Sequence, residues 1–121
     1  HYIFQRLDKY FDLYSEFNDV AKTKCATLFN FCNYLRLNNR FDEVSNYIYD
    51  VLELAKKCHH TLIILEAKYC ICEVEWLKNN DSSINNKVSS LISAIRLAEF
   101  NLVADDLLQD WKNLTGVTLN C

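Results

Sequence analysis

The chain has 121 residues and a mass of 14.2 kDa, enough for one domain that buries its own core without staples. Half of it is hydrophobic, with seven Tyr, seven Phe and two Trp, and the net charge is only -3, which excludes a disordered chain. One Gly, no Pro and thirteen Asn exclude folds built on tight hairpins or glycine-rich phosphate loops and leave a helical domain with Asn-rich corners.

In chain order, Ile3, Leu7, Tyr10, Phe11, Tyr14 and Phe17 fall at steps of three and four, which predicts a first helix over 2–17. Cys25, Leu28, Phe31, Cys32 and Leu35 predict a second from about Ala21 to Leu37, ended by the Asn38-Asn39 corner. A third begins near Phe41, with a stripe of Val44, Ile48, Val51 and Ala55. Asp42 and Glu43 in its first turn and Lys56 and Lys57 in its last suit the helix dipole.

Thr61 is a natural cap for a longer fourth helix carrying Leu62, Leu65, Tyr69, Cys72 and Trp76. Ile64, Ala67, Ile71 and Val74 make its other side apolar too, so it should be buried on more than one face. After the polar stretch 78–86, Ser82 or Ser83 caps a fifth helix with Ile84, Val88, Leu91, Ile92, Ile95 and Ala98. Asn101 opens a sixth with Leu102, Leu107, Leu108 and Trp111, and Gly116 ends it. The expected core is Leu28, Phe31, Leu35, Val44, Ile48, Val51, Leu65, Tyr69, Cys72, Trp76, Val88, Leu91, Ile95 and Trp111.

The second and third helices span thirty-four residues from Cys25 to Cys58 and resemble a degenerate tetratricopeptide repeat. Leu28 stands in the large aromatic position, Phe31 in the Leu position, Cys32 in the small position and Leu35 in the Tyr position. Val44 and Val51 replace two Ala, Ile48 an aromatic and Lys56 the closing Pro, so helix approach should be looser than in the family. The stretch from Leu52 to Leu97 is also similar to the irregular repeats of large scaffold subunits. These include the fifth subunit of the anaphase-promoting complex, cohesin-loader subunits and proteasome-lid subunits. The resemblance implies an all-α, TPR-like superhelix of about six antiparallel helices stacked as hairpins. It also implies a role as a scaffold in a multi-subunit assembly, with the cell cycle and ubiquitin conjugation as its setting.

Chemistry-bearing groups are few. Cys58-His59-His60 looks like half a zinc box but lacks a second ligand pair, and a cluster capping helix-end carbonyls is the simpler reading. Adjacent Cys58 and His59 make a poor nucleophile and base. Glu66, Glu73 and Glu75, like Asp105, Asp106 and Asp110, read as solvated faces. The seven Tyr are spread along the helices and form no stacking platform. Sequons occur at Asn80 and Asn113 and matter only in the secretory pathway. The six Cys fall mostly at core-facing spacings, as reduced buried thiols do, although six in so short a chain also fit a secreted disulfide scaffold.

Scattered Lys and Arg argue against nucleic acid, and no run of about eighteen apolar residues spans a membrane. A chain starting at His1 leads us to expect a single helical-repeat domain over 1–121 cut from a longer protein, with apolar faces left for neighbours. Those faces are expected at the two ends, through Tyr10, Phe11, Tyr14 and Phe17 and through Leu107, Leu108 and Trp111. The expected function is therefore a non-catalytic protein–protein interaction scaffold in the nucleus or cytoplasm. It takes other protein subunits as partners and no small-molecule substrate, cofactor or metal. The alternative is a secreted or effector-type helical bundle with disulfides that binds a host or receptor protein.

Overall fold

The computed structural model describes residues 18–121, and 81% of these are helical, with no strand among them. Five helices follow in order: α1 (Asn18–Leu37), α2 (Phe41–Lys57), α3 (Thr61–Asn79), α4 (Ile84–Leu97) and α5 (Asn101–Thr115). They correspond to the predicted second to sixth helices. The predicted helix over 2–17, with Tyr10, Phe11, Tyr14 and Phe17, lies outside the described residues. The chain divides into two compact units at Ala67 and Lys68, within α3.

In the first unit α1 and α2 pack against each other as an antiparallel hairpin. Cys25, Cys32, Val44, Ile48, Val51 and Ala55 are fully enclosed and Leu35 nearly so, and these residues recur at three- and four-residue steps. Leu28 and Phe31, expected in the core, are only half-buried, and Phe29 takes the enclosed place instead. Phe31 meets Tyr47 edge-on at 5.4 Å, closing the flank of the hairpin. Asp42 and Glu43 lie in the first turn of α2 and Lys56 and Lys57 in its last, the polarity that the helix dipole favours.

The second unit is organised around Trp111 on α5, which is wholly enclosed. Its ring meets Tyr69 at 6.2 Å and Trp76 at 5.7 Å, both edge-on, and its indole Nε1–H donates to Asn85 Oδ1 at 2.8 Å. The bulk is thus buried without orphaning its donor. Ile84, Val88, Ile92 and Ile95 form the inner stripe of α4, which packs on α5, whose own buried residues are Ala104, Leu107 and Trp111. From Leu62 to Trp76 every residue of α3 except Lys68 is buried or half-buried, as its two apolar sides predict.

Three of the four corners are three residues long and share one hydrogen-bond pattern. Asn39, His59 and Glu99 take positive φ of 59°, 54° and 69°. The N–H of each donates to the carbonyl three residues back, of Arg36, Lys56 and Arg96 respectively. The next N–H, of Arg40, His60 and Phe100, donates five back to Leu35, Ala55 and Ile95. This double closure satisfies the last helical carbonyls, and it is made here without glycine. The fourth corner has Asn80 at φ 49°, after which Asp81 Oδ1 accepts the Ser83 N–H at 2.9 Å. Neither predicted N-cap forms that bond as expected. Ser83 makes no capping bond, and at α3 the acceptor is His60 Nδ1, which takes the Ile63 N–H at 3.4 Å.

Candidate functional site

Large apolar side chains that the fold leaves in solvent cluster around the α4–α5 corner. Leu97, the last residue of α4, is 87% exposed, Phe100 is 40% exposed, and Leu102, in the first turn of α5, is 82% exposed. Leu97 lies two residues after enclosed Ile95, roughly 200° round the helix, so it points away from the core that Ile95 fills. Leu102 likewise precedes enclosed Ala104 by two. The corner between them is held from below by Arg96. Its Nη2 pairs with Asp105 at 2.6 Å, its Nη1 reaches Asn101 Oδ1 at 3.4 Å and its Nε donates to the Cys121 carbonyl at 3.1 Å. The apolar residues therefore sit on a corner tied to α5 and to the C-terminal segment. Covering a fully exposed Leu is worth about 2 kcal/mol, so a partner seated on both Leu97 and Leu102 gains appreciably.

The first unit repeats the arrangement in shorter form. Leu35-Arg36-Leu37 matches Ile95-Arg96-Leu97: the first residue is enclosed, the Arg is tied by side-chain bonds, and the second Leu is exposed, at 63% for Leu37. Arg36 donates through Nε and Nη2 to Asn33 Oδ1 at 3.2 and 2.8 Å. Tyr34 is exposed beside it.

Of the end-face residues expected on the last helix, Leu107 and Trp111 turn inward, Trp111 to the core place that was also expected of it. Leu107 is buried and Trp111 is fully enclosed, so neither is available to a partner, and only Leu108 reaches the surface in part. Leu108 lines a recess with Asp105, Gln109, Lys112, Thr118 and Leu119. The reason is that α5 turns its Ala104–Leu107–Trp111 stripe inward and leaves Leu102 on the opposite side. By sequence Leu102 groups with the apolar residues of this helix and Leu97 is not singled out; their two-residue offsets from Ala104 and Ile95 are the signal that could have found them.

The other groups singled out in the sequence fall as follows. Among the described residues no cluster of His, Cys, Asp and Glu could hold a metal ion. His60 caps the N-terminus of α3 rather than the carbonyls of α2, because the closed corner has already satisfied those carbonyls. The acidic residues of α3 are not a solvated face. Glu73 is 2% exposed and accepts the Tyr69 O–H at 2.6 Å, and Glu75 pairs with Lys87 at 3.6 Å. Burial holds the Glu66 carboxyl above its ordinary range, with the Arg36 charge opposing. Five of the six cysteines are buried free thiols, and Cys121 is half-buried. Burial pushes the Cys32 thiol up to about 12, with Asp50 adding to it. Cys25 is likewise pushed up to about 12, first by burial and then by neighbouring Cys58. Burial, assisted by the Glu75 charge, raises Cys72 to about 11.

Among the described residues no helix is long and apolar enough to cross a membrane. Comparison with known proteins found no matching family model, no matching curated protein and no matching solved structure.

Proposed function

We propose that this chain is a non-catalytic protein–protein interaction module, a piece of an irregular helical-hairpin scaffold that works inside a multi-subunit intracellular assembly. The observation that carries the reading is the exposed corner of Leu97, Phe100 and Leu102, held in place by Arg96. Apolar side chains on a tethered corner are a surface for another protein, whereas a catalytic role calls for polar groups converging in a cleft. The repeat character is supported by the left-handed corner residues 39, 59, 80 and 99, which recur about every twenty positions. That spacing makes the hairpin unit about forty residues, longer than the thirty-four of a tetratricopeptide repeat and nearer the period of HEAT-type repeats. A TPR-like or related superhelix, and a place beside the scaffold subunits of the anaphase-promoting complex in ubiquitin conjugation, remain parts of this proposal.

The test is hydrodynamic. Tagged wild-type chain and the double variant Leu97→Ser/Leu102→Ser are expressed in the native cells, and the extracts are fractionated by size. The wild type should elute with an assembly far larger than 14.2 kDa, and the variant should elute as free chain with an unchanged helical spectrum. A wild type at its monomer position, or a variant that stays in the assembly, refutes the proposal. The secreted-bundle reading draws on the cysteine content, six in a chain of 121 residues. Thiol counting on denatured, unreduced protein separates the two: six free thiols favour the intracellular scaffold, and two or three disulfides favour the secreted bundle.

A further inference from the structure

Gly116, at φ 77°, ends α5, and residues 117–121 continue without helix or turn. Their burial alternates: Val117, Leu119 and Cys121 are half-buried and Thr118 and Asn120 are exposed, the two-residue period of an extended strand laid on a surface. Leu119 lies against the middle of α5, and the Cys121 carbonyl accepts from Arg96 Nε at 3.1 Å, so the segment runs back along the helix as a strap. At its near end the Val117 N–H donates to Thr115 Oγ1 at 3.1 Å. Among the described residues these are its only hydrogen bonds, one at each end. Side-chain contact alone holds the middle, and that contact is incomplete. An open recess of about 230 Å³ is left where Thr118 and Leu119 face Asp105, Leu108, Gln109 and Lys112, four residues on one face of α5.

We infer that this face of α5 is a binding groove for an extended peptide with apolar side chains at alternate positions. Residues 117–121 are its built-in occupant, an autoinhibitory strap that a partner segment of the same pattern displaces.

The strap itself displays the chemistry of the ligand, since Val117 and Leu119 already sit on the helix at alternate positions. A segment fastened at its two ends, with a main chain free of hydrogen bonds between them, opens locally while the helices stay folded. The recess supplies selectivity. Atoms that line a gap forgo the contacts a larger side chain would make, so a competitor with Phe where the strap has Leu119 seats better than the strap does. Asp105 and Lys112 carry opposite charges at the rim, which suits a peptide of neither sign. None of Leu97, Phe100 and Leu102 lines this groove, so the inference stands apart from the corner proposed above.

The test compares two isotope-labelled full-length chains by amide NMR: the wild type, and Val117→Asp/Leu119→Asp, whose strap cannot seat. Each is titrated with end-blocked peptides of sequence Val-Thr-Leu-Asn-Ser and Val-Thr-Phe-Asn-Ser. In the double variant both peptides should shift the amides of Leu108, Gln109 and Lys112, and the Phe peptide should bind more tightly. In the wild type the tethered strap competes at an effective concentration on the order of millimolar, so binding should be about tenfold weaker. Displacement there should also speed alkylation of Cys121 by iodoacetamide while the five buried thiols stay unreacted. Should the double variant fail to fold, the wild-type chain with the Phe peptide decides, through the same amides and the Cys121 rate. Absent shifts on α5, equal affinity of the two chains, a Phe peptide no tighter than the Leu peptide, or a Cys121 rate that peptide leaves unchanged overturns the proposal.

Discussion

At the scale of single residues, buried polar atoms show how closely the second unit is specified. Tyr69 is wholly enclosed, and its O–H serves Glu73, itself 2% exposed, across one helical turn. Tyr69→Phe keeps the ring against Trp111 but removes that donor. We expect it to lower unfolding stability by about 1–3 kcal/mol, read as a reduced denaturant midpoint at unchanged slope. An unaltered midpoint would mean that Glu73 does not depend on this bond. The thiols make a second prediction. Cys25 and Cys32 titrate near 12 and Cys72 near 11 when folded, against 9.0 for a free thiol. Above pH 9 the unfolded chain has lost these protons and the folded chain keeps them, so raising pH favours unfolding. Each thiol then removes about 1.4 kcal/mol per pH unit until its folded value is reached. Chemical denaturation at pH 8, 9 and 10 should show stability level below pH 9 and falling steeply above it, and a flat profile would contradict the burial.

The elements are set by their corners. Asn tolerates the left-handed region, but Glu99 holds φ 69° with a Cβ that this region disfavours by about 1–2 kcal/mol. Glu99→Gly should therefore stabilise the chain, by about 0.5–1 kcal/mol after the added freedom of the unfolded glycine is deducted. Thermal unfolding checks it, and a lowered midpoint would show that Glu99 makes a compensating contact. Asn39→Gly should gain less. Helix positions were legible in the sequence because Val44, Ile48 and Val51, or Ile84, Val88 and Ile95, repeat at helical steps. Corner chemistry was legible only at the Asn positions. Glu99 and His59 could not be picked out, because backbone hydrogen bonds and not residue type hold them there. The candidate surface was legible least. A stripe such as Leu107–Trp111 states that a face is apolar, but which neighbour covers it is decided by packing, and α5 turned it inward.

For the molecule as a whole, the contrast between enclosed Trp111 and 87%-exposed Leu97 separates what folds the chain from what the fold leaves in solvent. Leu97→Ser/Leu102→Ser should change unfolding stability by no more than about 0.5 kcal/mol, since surface side chains contribute little to it. A loss of several kcal/mol would place those leucines in a core. The short corners have a consequence for time as well as for shape. α1 finds α2, and α4 finds α5, across only three residues of connecting chain. Little loop entropy is lost before the first interhelical contacts form, and few of those contacts join distant parts of the sequence. Each hairpin should therefore assemble in milliseconds or less after a denaturant jump, early enough in synthesis for α1 and α2 to pair before α5 has been made.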